Sequence, residues 1–164
     1  MDALILLSSK SENLKEIGEK LSSGAITAGA QPEMLFLPLP PEFSFEKYDL
    51  IFLGFELSPL GRNYHFPSSV LHNFSGKNVA LICLYSFRKR ALEKMISELE
   101  KKGAKITGTL SLKKKGIASF FGFGKISETD SVRTEAFAER TSNNLLGRRI
   151  RKDGEKSKIP NYRK

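Results

Sequence analysis

The chain has 164 residues, 40% of them apolar and 27% charged, which is the size and composition of one globular domain with a short extension. One cysteine, Cys83, and two histidines, His65 and His72, exclude an internal disulfide and a cysteine-built metal centre, and leave zinc short of ligands. The net charge of +9 is concentrated at the end: Arg148 to Lys164 holds 8 basic and 2 acidic residues, leaving only +3 for the body.

Ala3-Leu4-Ile5-Leu6-Leu7 is a continuous apolar run, as a strand covered on both faces reads. Ser8 to Asn13 is a polar turn, and Leu14, Ile17 and Leu21 then recur at helical spacing, with Ser22-Ser23-Gly24 weakening the helix. Met34 to Leu37 reads as a second strand, stopped by Pro38, Pro40 and Pro41. Pro38 to Lys47 has no helical period, so the crossover to the third strand, Leu50 to Gly54, is expected to be short. Val79 to Leu84 is a fourth strand. Leu92, Met95, Ile96 and Leu99 form one face of the clearest helix, which Gly103 ends.

Ile106 to Leu110 alternates and reads as an edge strand. Lys113-Lys114-Lys115 then precedes Phe120, Phe121 and Phe123 in a connection longer than a plain crossover needs; it reads as aromatics folded onto the sheet edge, with a lid, a dimer contact or a membrane-surface touch as alternatives. A last helix is expected from near Ser127 or Thr129 to near Gly147, with Glu128 and Asp130 suiting the dipole of its first turn. The division is therefore a folded unit over 1–147 and a basic, disordered extension over 148–164. No apolar run approaches the ~18 residues of a membrane span. The start, Met1-Asp2-Ala3-Leu4, lacks the basic region of a signal peptide, so a cytoplasmic protein is expected.

Apolar strands alternating with helices imply a parallel sheet with right-handed crossovers, wound on both faces. In such sheets ligands bind beyond the carboxyl ends of the strands, where neighbouring strands send their connections to opposite faces. That selects Ser8–Asn13, Phe55–Phe66 and Tyr85–Arg90. No Gly-x-Ser-x-Gly turn, phosphate-binding Gly-x-x-x-x-Gly-Lys-Ser/Thr loop or Gly-x-Gly-x-x-Gly fingerprint is present. Cys83, inside a buried strand run, reads as inert, and His65 and His72 as exposed polar residues.

Tyr48 to Gly54, Gly76 to Leu81, Ala91 to Lys105 and Gly124 to Ala138 resemble, in that order, the third strand, the approach to the fourth, the following helix and the last helix of the flavodoxin family. The resemblance spans Asp2 to Leu146. It implies a three-layer doubly wound α/β fold, a five-stranded parallel sheet of order 2-1-3-4-5, non-covalent FMN and electron transfer with a redox partner protein. The residues it implies at the cofactor are Ser9, Lys10, Ser11 and Asn13 in the phosphate loop, Phe55 and Ser58 after the third strand, and Tyr85, Ser86, Phe87 and Arg88 after the fourth. Tyr64 and Phe66 are further candidates to stack on the ring.

The same loops depart from the family pattern. Glu12 replaces the phosphate-loop glycine and Leu14 its last hydroxyl. Ser9-x-x-Glu12 also fits a capping box, which would satisfy the helix amides internally. Arg88, Lys89 and Arg90 place cations in the first turn of a helix, against the dipole, either as solvated charge or as part of an anion site. The alternative function is therefore a flavin-less binding or regulatory module with an anion site at the switch point. A third reading, weak polyanion contact, rests on the basic tail, where Tyr162 is the one aromatic available for base stacking.

Overall fold

The structure, a computed structural model, describes residues 1–57, 66–85, 90–114 and 126–156. The elements are β1 (Asp2–Leu7), α1 (Glu12–Thr27), β2 (Gln31–Phe36), β3 (Leu50–Glu56), α2 (Ser68–His72), β4 (Asn78–Tyr85), α3 (Arg90–Lys101), β5 (Lys105–Lys113) and α4 (Glu128–Lys156). All strand pairs are parallel, in the order β2-β1-β3-β4-β5. The expected sheet and its strand order are the observed ones. The apolar runs of β1, β3 and β4 lie at the centre, buried on both faces. The alternating β5 lies at an edge, as its pattern requires, and β2, which contains Pro32, is the other edge.

Side-chain parity divides the core into two layers. Ile5, Leu7, Phe52, Ile82 and Leu112 pack with Leu14, Ile17 and Leu21 of α1 and Phe137 of α4. Leu4, Leu6, Ile51, Phe55 and Cys83 pack with Leu71 of α2, Met95 and Leu99 of α3, and the aromatics Phe45, Tyr48, Phe66 and Phe74. The crossover from β2 to β3 carries no helix, as expected; Phe43 and Phe45 of that crossover meet edge to face at 4.9 Å and close the second layer.

Three local expectations are corrected. The first helix, expected to weaken at Ser22-Ser23-Gly24, runs through them to Thr27. Its packing explains why: a Cβ on Gly24 would lie 2.1 Å from the Glu135 carbonyl oxygen. The glycine thus allows α1 and α4 into backbone contact, and Ser23 Oγ donates to Glu135 Oε1 at 2.6 Å. Tertiary contact overrides weak propensity here. The second strand begins at Gln31, three residues before Met34. The short helix α2 was not legible in a five-residue segment.

The last helix passes Gly147 and continues to Lys156. Arg and Lys are good helix formers, and cations near a carboxyl terminus suit the helix dipole. Residues 157–164, on which the expectation of a disordered tail also rests, and the Phe120–Phe123 segment lie outside the described residues. Gly103 ends α3 as expected, at φ +84°, with Ala104 N–H donating to the Leu99 carbonyl at 3.0 Å; this left-handed residue closes the helix.

Candidate functional site

The carboxyl end of the sheet is where β1 sends its chain into α1 on one face while β3 sends its own connection the other way, and the crevice of this fold opens there. Main-chain bonds fix its floor. Ser8 N–H donates to the Gly54 carbonyl at 2.9 Å, Leu57 N–H to Leu84 at 2.8 Å, and Lys114 N–H to Tyr85 at 3.0 Å.

Ser9 and Lys10 are exposed on the turn above this floor, and Ser11 is half-buried. Ser11 has extended backbone and is the N-cap of α1, its Oγ accepting from Leu14 N–H at 3.3 Å. This corrects the capping-box expectation. Glu12 is the first helical residue, so Ser9 stands outside the helix and cannot cap it. Glu12 is exposed, so its carboxylate is turned to solvent and does not block the turn. Asn13 is half-buried in the first turn.

Ser11 Oγ also donates to Glu56 Oε2 at 2.7 Å. The other oxygen of Glu56, Oε1, pairs with Lys114 Nζ. Glu56 is the last residue of β3, and Lys114 follows β5 directly. The ammonium therefore reaches across the end of the intervening β4. The Lys114 side chain is 2% exposed and that of Glu56 17%. A hydroxyl, a carboxylate and an ammonium thus run in line from the start of α1 across the crevice floor.

Phe55 does not stand in a loop. It lies within β3, fully buried, and meets Phe66 edge to face at 6.2 Å. Phe66 is buried beside it. Tyr85 ends β4, half-buried. Ser58, Tyr64, Ser86, Phe87, Arg88 and Lys89 lie outside the described residues. Cys83 is fully buried, and burial pushes its thiol up to about 12, which keeps it in the thiol form at neutral pH. Among the described residues no group of three His, Cys, Asp or Glu side chains could hold a metal ion. Among them, too, no helix is long and apolar enough to cross a membrane.

Glu56 and Lys114 were missed in the sequence, although a signal existed. Lys114 follows Leu110 and Leu112 at a spacing of two, so strand parity carries it onto the buried face. Glu56 is the charged residue that ends the apolar run of the third strand.

No family model and no curated protein matches the chain. Solved structures do match along nearly its whole length. Two-electron reduced flavodoxin from Megasphaera elsdenii superposes with a TM-score of 0.63 at 15% identity, covering 85% of this chain and 98% of that one. Oxidised Flavodoxin 2 from Bacillus cereus gives 0.64 at 19% identity, covering 88% and 99%. The chain has the flavodoxin-like fold. Rubredoxin oxygen:oxidoreductase from Desulfovibrio gigas also matches, with a TM-score of 0.68 at 11% identity, but over only 36% of its length. The likeness is thus to free-standing flavodoxins end to end, and to one part of a larger oxidoreductase.

Proposed function

We propose that the protein is an FMN-binding electron-transfer module of the flavodoxin type. The observation that carries the reading is the turn Ser9-Lys10-Ser11. It brings two hydroxyls, an ammonium and the amide end of α1 to the carboxyl edge of the sheet, with Glu12 directed into solvent. That donor set suits a phosphate monoester: helix-start amides and the dipole favour the anion, and Lys10 adds a cation. End-to-end likeness to flavodoxins supports the same reading.

In this reading Ser9, Lys10, Ser11 and Asn13 hold the phosphate, and the segments after β3 and β4 flank the ring, with Ser58, Tyr85, Ser86, Phe87 and Arg88 as the proposed contacts. FMN supplies one- and two-electron transfer when bound, and the protein supplies binding, orientation and exclusion of water. A redox partner protein then delivers or accepts the electrons. Titrating FMN into the purified chain and following flavin fluorescence tests the proposal. Saturable quenching, weaker for riboflavin, is expected; no saturable change would end it.

A second reading is favoured by one contact. The Ser11 hydroxyl has a single proton, and it is given to Glu56. A flavin-less binding or regulatory module, its crevice already occupied by its own side chains, is consistent with that. Gently purified protein that is colourless and releases no flavin on acidification would favour this second reading.

A further inference from the structure

Helix α4 continues past the core it packs on. Its last buried residues are Thr141 and Ser142, Leu145 and Leu146 are half-buried, and Gly147 and Arg148 are exposed. A Cβ on Gly147 would meet nothing within 4 Å. The backbone nevertheless stays helical to Lys156, so about 15 Å of helix follows Leu146 at 1.5 Å per residue. Its direction is fixed by two bonds. Ser131 Oγ donates to Glu16 Oε1 at 2.8 Å, and Ser23 Oγ to Glu135 Oε1 at 2.6 Å. The later residue of α1 meets the later residue of α4, so the two helices run parallel and α4 leads away from the crevice at the start of α1.

One row of this helix gathers its charge. Arg140, Asn144, Arg148, Lys152 and Lys156 recur every four residues, the spacing that keeps positions on one helix face. Arg140, Asn144 and Arg148 are exposed, and the row advances about 24 Å from first to last. The whole segment from Arg140 to Lys156 holds six basic residues against Asp153 and Glu155. The helix dipole accounts for cations only in the last turn, and Arg140, Arg148 and Lys152 precede it. Like charges four residues apart, as in Arg148 with Lys152 and Lys152 with Lys156, destabilise an isolated helix; a line of anions along the row would relieve that repulsion.

We propose that this row is a docking face for the phosphate backbone of duplex DNA. Arginine and lysine meet phosphates as charge-assisted donors, and the Asn144 amide adds a neutral one. The major groove of B-form DNA, about 12 Å wide, admits a helix, whereas that of A-form RNA is too narrow. Single strands call for aromatic side chains to stack on bases, and Arg140 to Lys156 contains none. A membrane surface calls for a broad apolar face opposite the cations, and beyond Leu146 only Ile150 contributes to one. Phosphate contacts position a protein without reading sequence, so the binding is indifferent to base sequence. It is also independent of the crevice, which lies at the other end of α4.

The test is fluorescence anisotropy of a labelled duplex of about 20 base pairs, titrated with the full chain between about 50 and 200 mM KCl. Wild type should bind, with log affinity falling linearly against log salt. Arg140→Gln/Arg148→Gln/Lys152→Gln should lose about tenfold or more at the lowest salt, and its slope should shrink by about 2.7, or 0.9 for each phosphate contact removed. Lys94→Gln/Lys101→Gln/Lys105→Gln removes the same charge from exposed positions elsewhere and should keep its slope. No salt-dependent binding by wild type, or an equal loss in both triple variants, would overturn the proposal. If the first triple variant does not fold, Lys152→Gln/Lys156→Gln, which lies beyond the last buried residue, is read instead. A slope smaller by about 1.8 supports the row, and an unchanged slope rejects it. Tighter binding to a single strand of equal length, or to phosphatidylserine vesicles, would reject duplex DNA as the partner. Saturating FMN should leave duplex affinity unchanged, so failure of the row leaves the flavin reading standing, and absence of FMN binding leaves the row standing.

Discussion

Two glutamates in this protein make the same pair of bonds in opposite surroundings. Glu33, on the edge strand β2, accepts from Tyr48 Oη at 2.5 Å and from Lys47 Nζ at 2.8 Å. Glu56, at the end of the inner strand β3, accepts from Ser11 Oγ and pairs with Lys114. The first pair is open to water, with side chains 45% and 61% exposed; the second is nearly closed, at 17% and 2%. Water screens the first, and such pairs add little to stability. The second has lost most of its hydration, so removing either half costs more there than in the first. The chemistry is the same, and the position decides whether it is ornament at an edge or a constraint on the crevice.

The largest expected effect follows from breaking the buried pair. Lys114→Met should lower stability by about 3 kcal/mol, the low end for an uncompensated buried partner because Glu56 keeps some water. For a domain of this size that is a drop in melting temperature of roughly 6–12 °C. Adding Glu56→Gln to Lys114→Met should restore most of the loss, since a neutral pair of similar volume needs no counter-charge. A single Lys114→Met that melts within about 1 °C of wild type would mean that the two pairs are energetically alike after all.

The fold was legible because it is written in long, redundant patterns. Three inner strands are unbroken apolar runs, and each reports burial on both faces through five or more residues. Leu92, Met95 and Leu99 likewise repeat one helical stripe. Where a single residue carried the information, the reading failed. Gly24 weakens a helix by propensity and strengthens it by admitting α4, and only the tertiary contact tells which wins. Ser9 and Ser11 are equally good caps by type, and the turn geometry after Leu7 selects Ser11. Phe55 is flanked by Gly54 and Glu56, which made a strand residue look like a loop aromatic. The Glu56–Lys114 pair joins residues 58 positions apart across an intervening strand, a distance no local pattern spans, so this part of the site was the least visible in the sequence.

An intermediate effect is expected where the buried network meets the helix. Ser11→Ala removes the cap on Leu14 N–H and the proton given to Glu56. Loss of a cap alone is worth about 1 kcal/mol. Lys114 still neutralises Glu56 in this variant, so the total should stay well below that of Lys114→Met. Chemical denaturation at neutral pH measures it, and Ser11→Thr should recover most of the loss because its hydroxyl can still cap. If Ser11→Ala equals Lys114→Met in effect, the hydroxyl and not the ammonium is the principal partner of Glu56.

The smallest effect belongs to the exposed pair, and pH reveals its sign. The hydrogen bond from Lys47, then that from Tyr48, holds the Glu33 carboxyl below the ordinary carboxylate range. Burial and then the Glu33 hydrogen bond push the Tyr48 phenol up. A carboxyl whose folded value is depressed contributes stability above its unfolded value and loses it as pH falls through the folded one. Wild type and Glu33→Gln should therefore differ at neutral pH and converge in acid, once Glu33 is protonated in both folded and unfolded chains. Because the pair is solvated, the neutral-pH difference should stay within about 1 °C in melting temperature and shrink further in high salt. A difference that instead grew as the pH fell would mean that Glu33 is held in its protonated form, with Tyr48 and Lys47 arranged around a neutral acid, and the likeness between the two glutamates would fail at its chemical root.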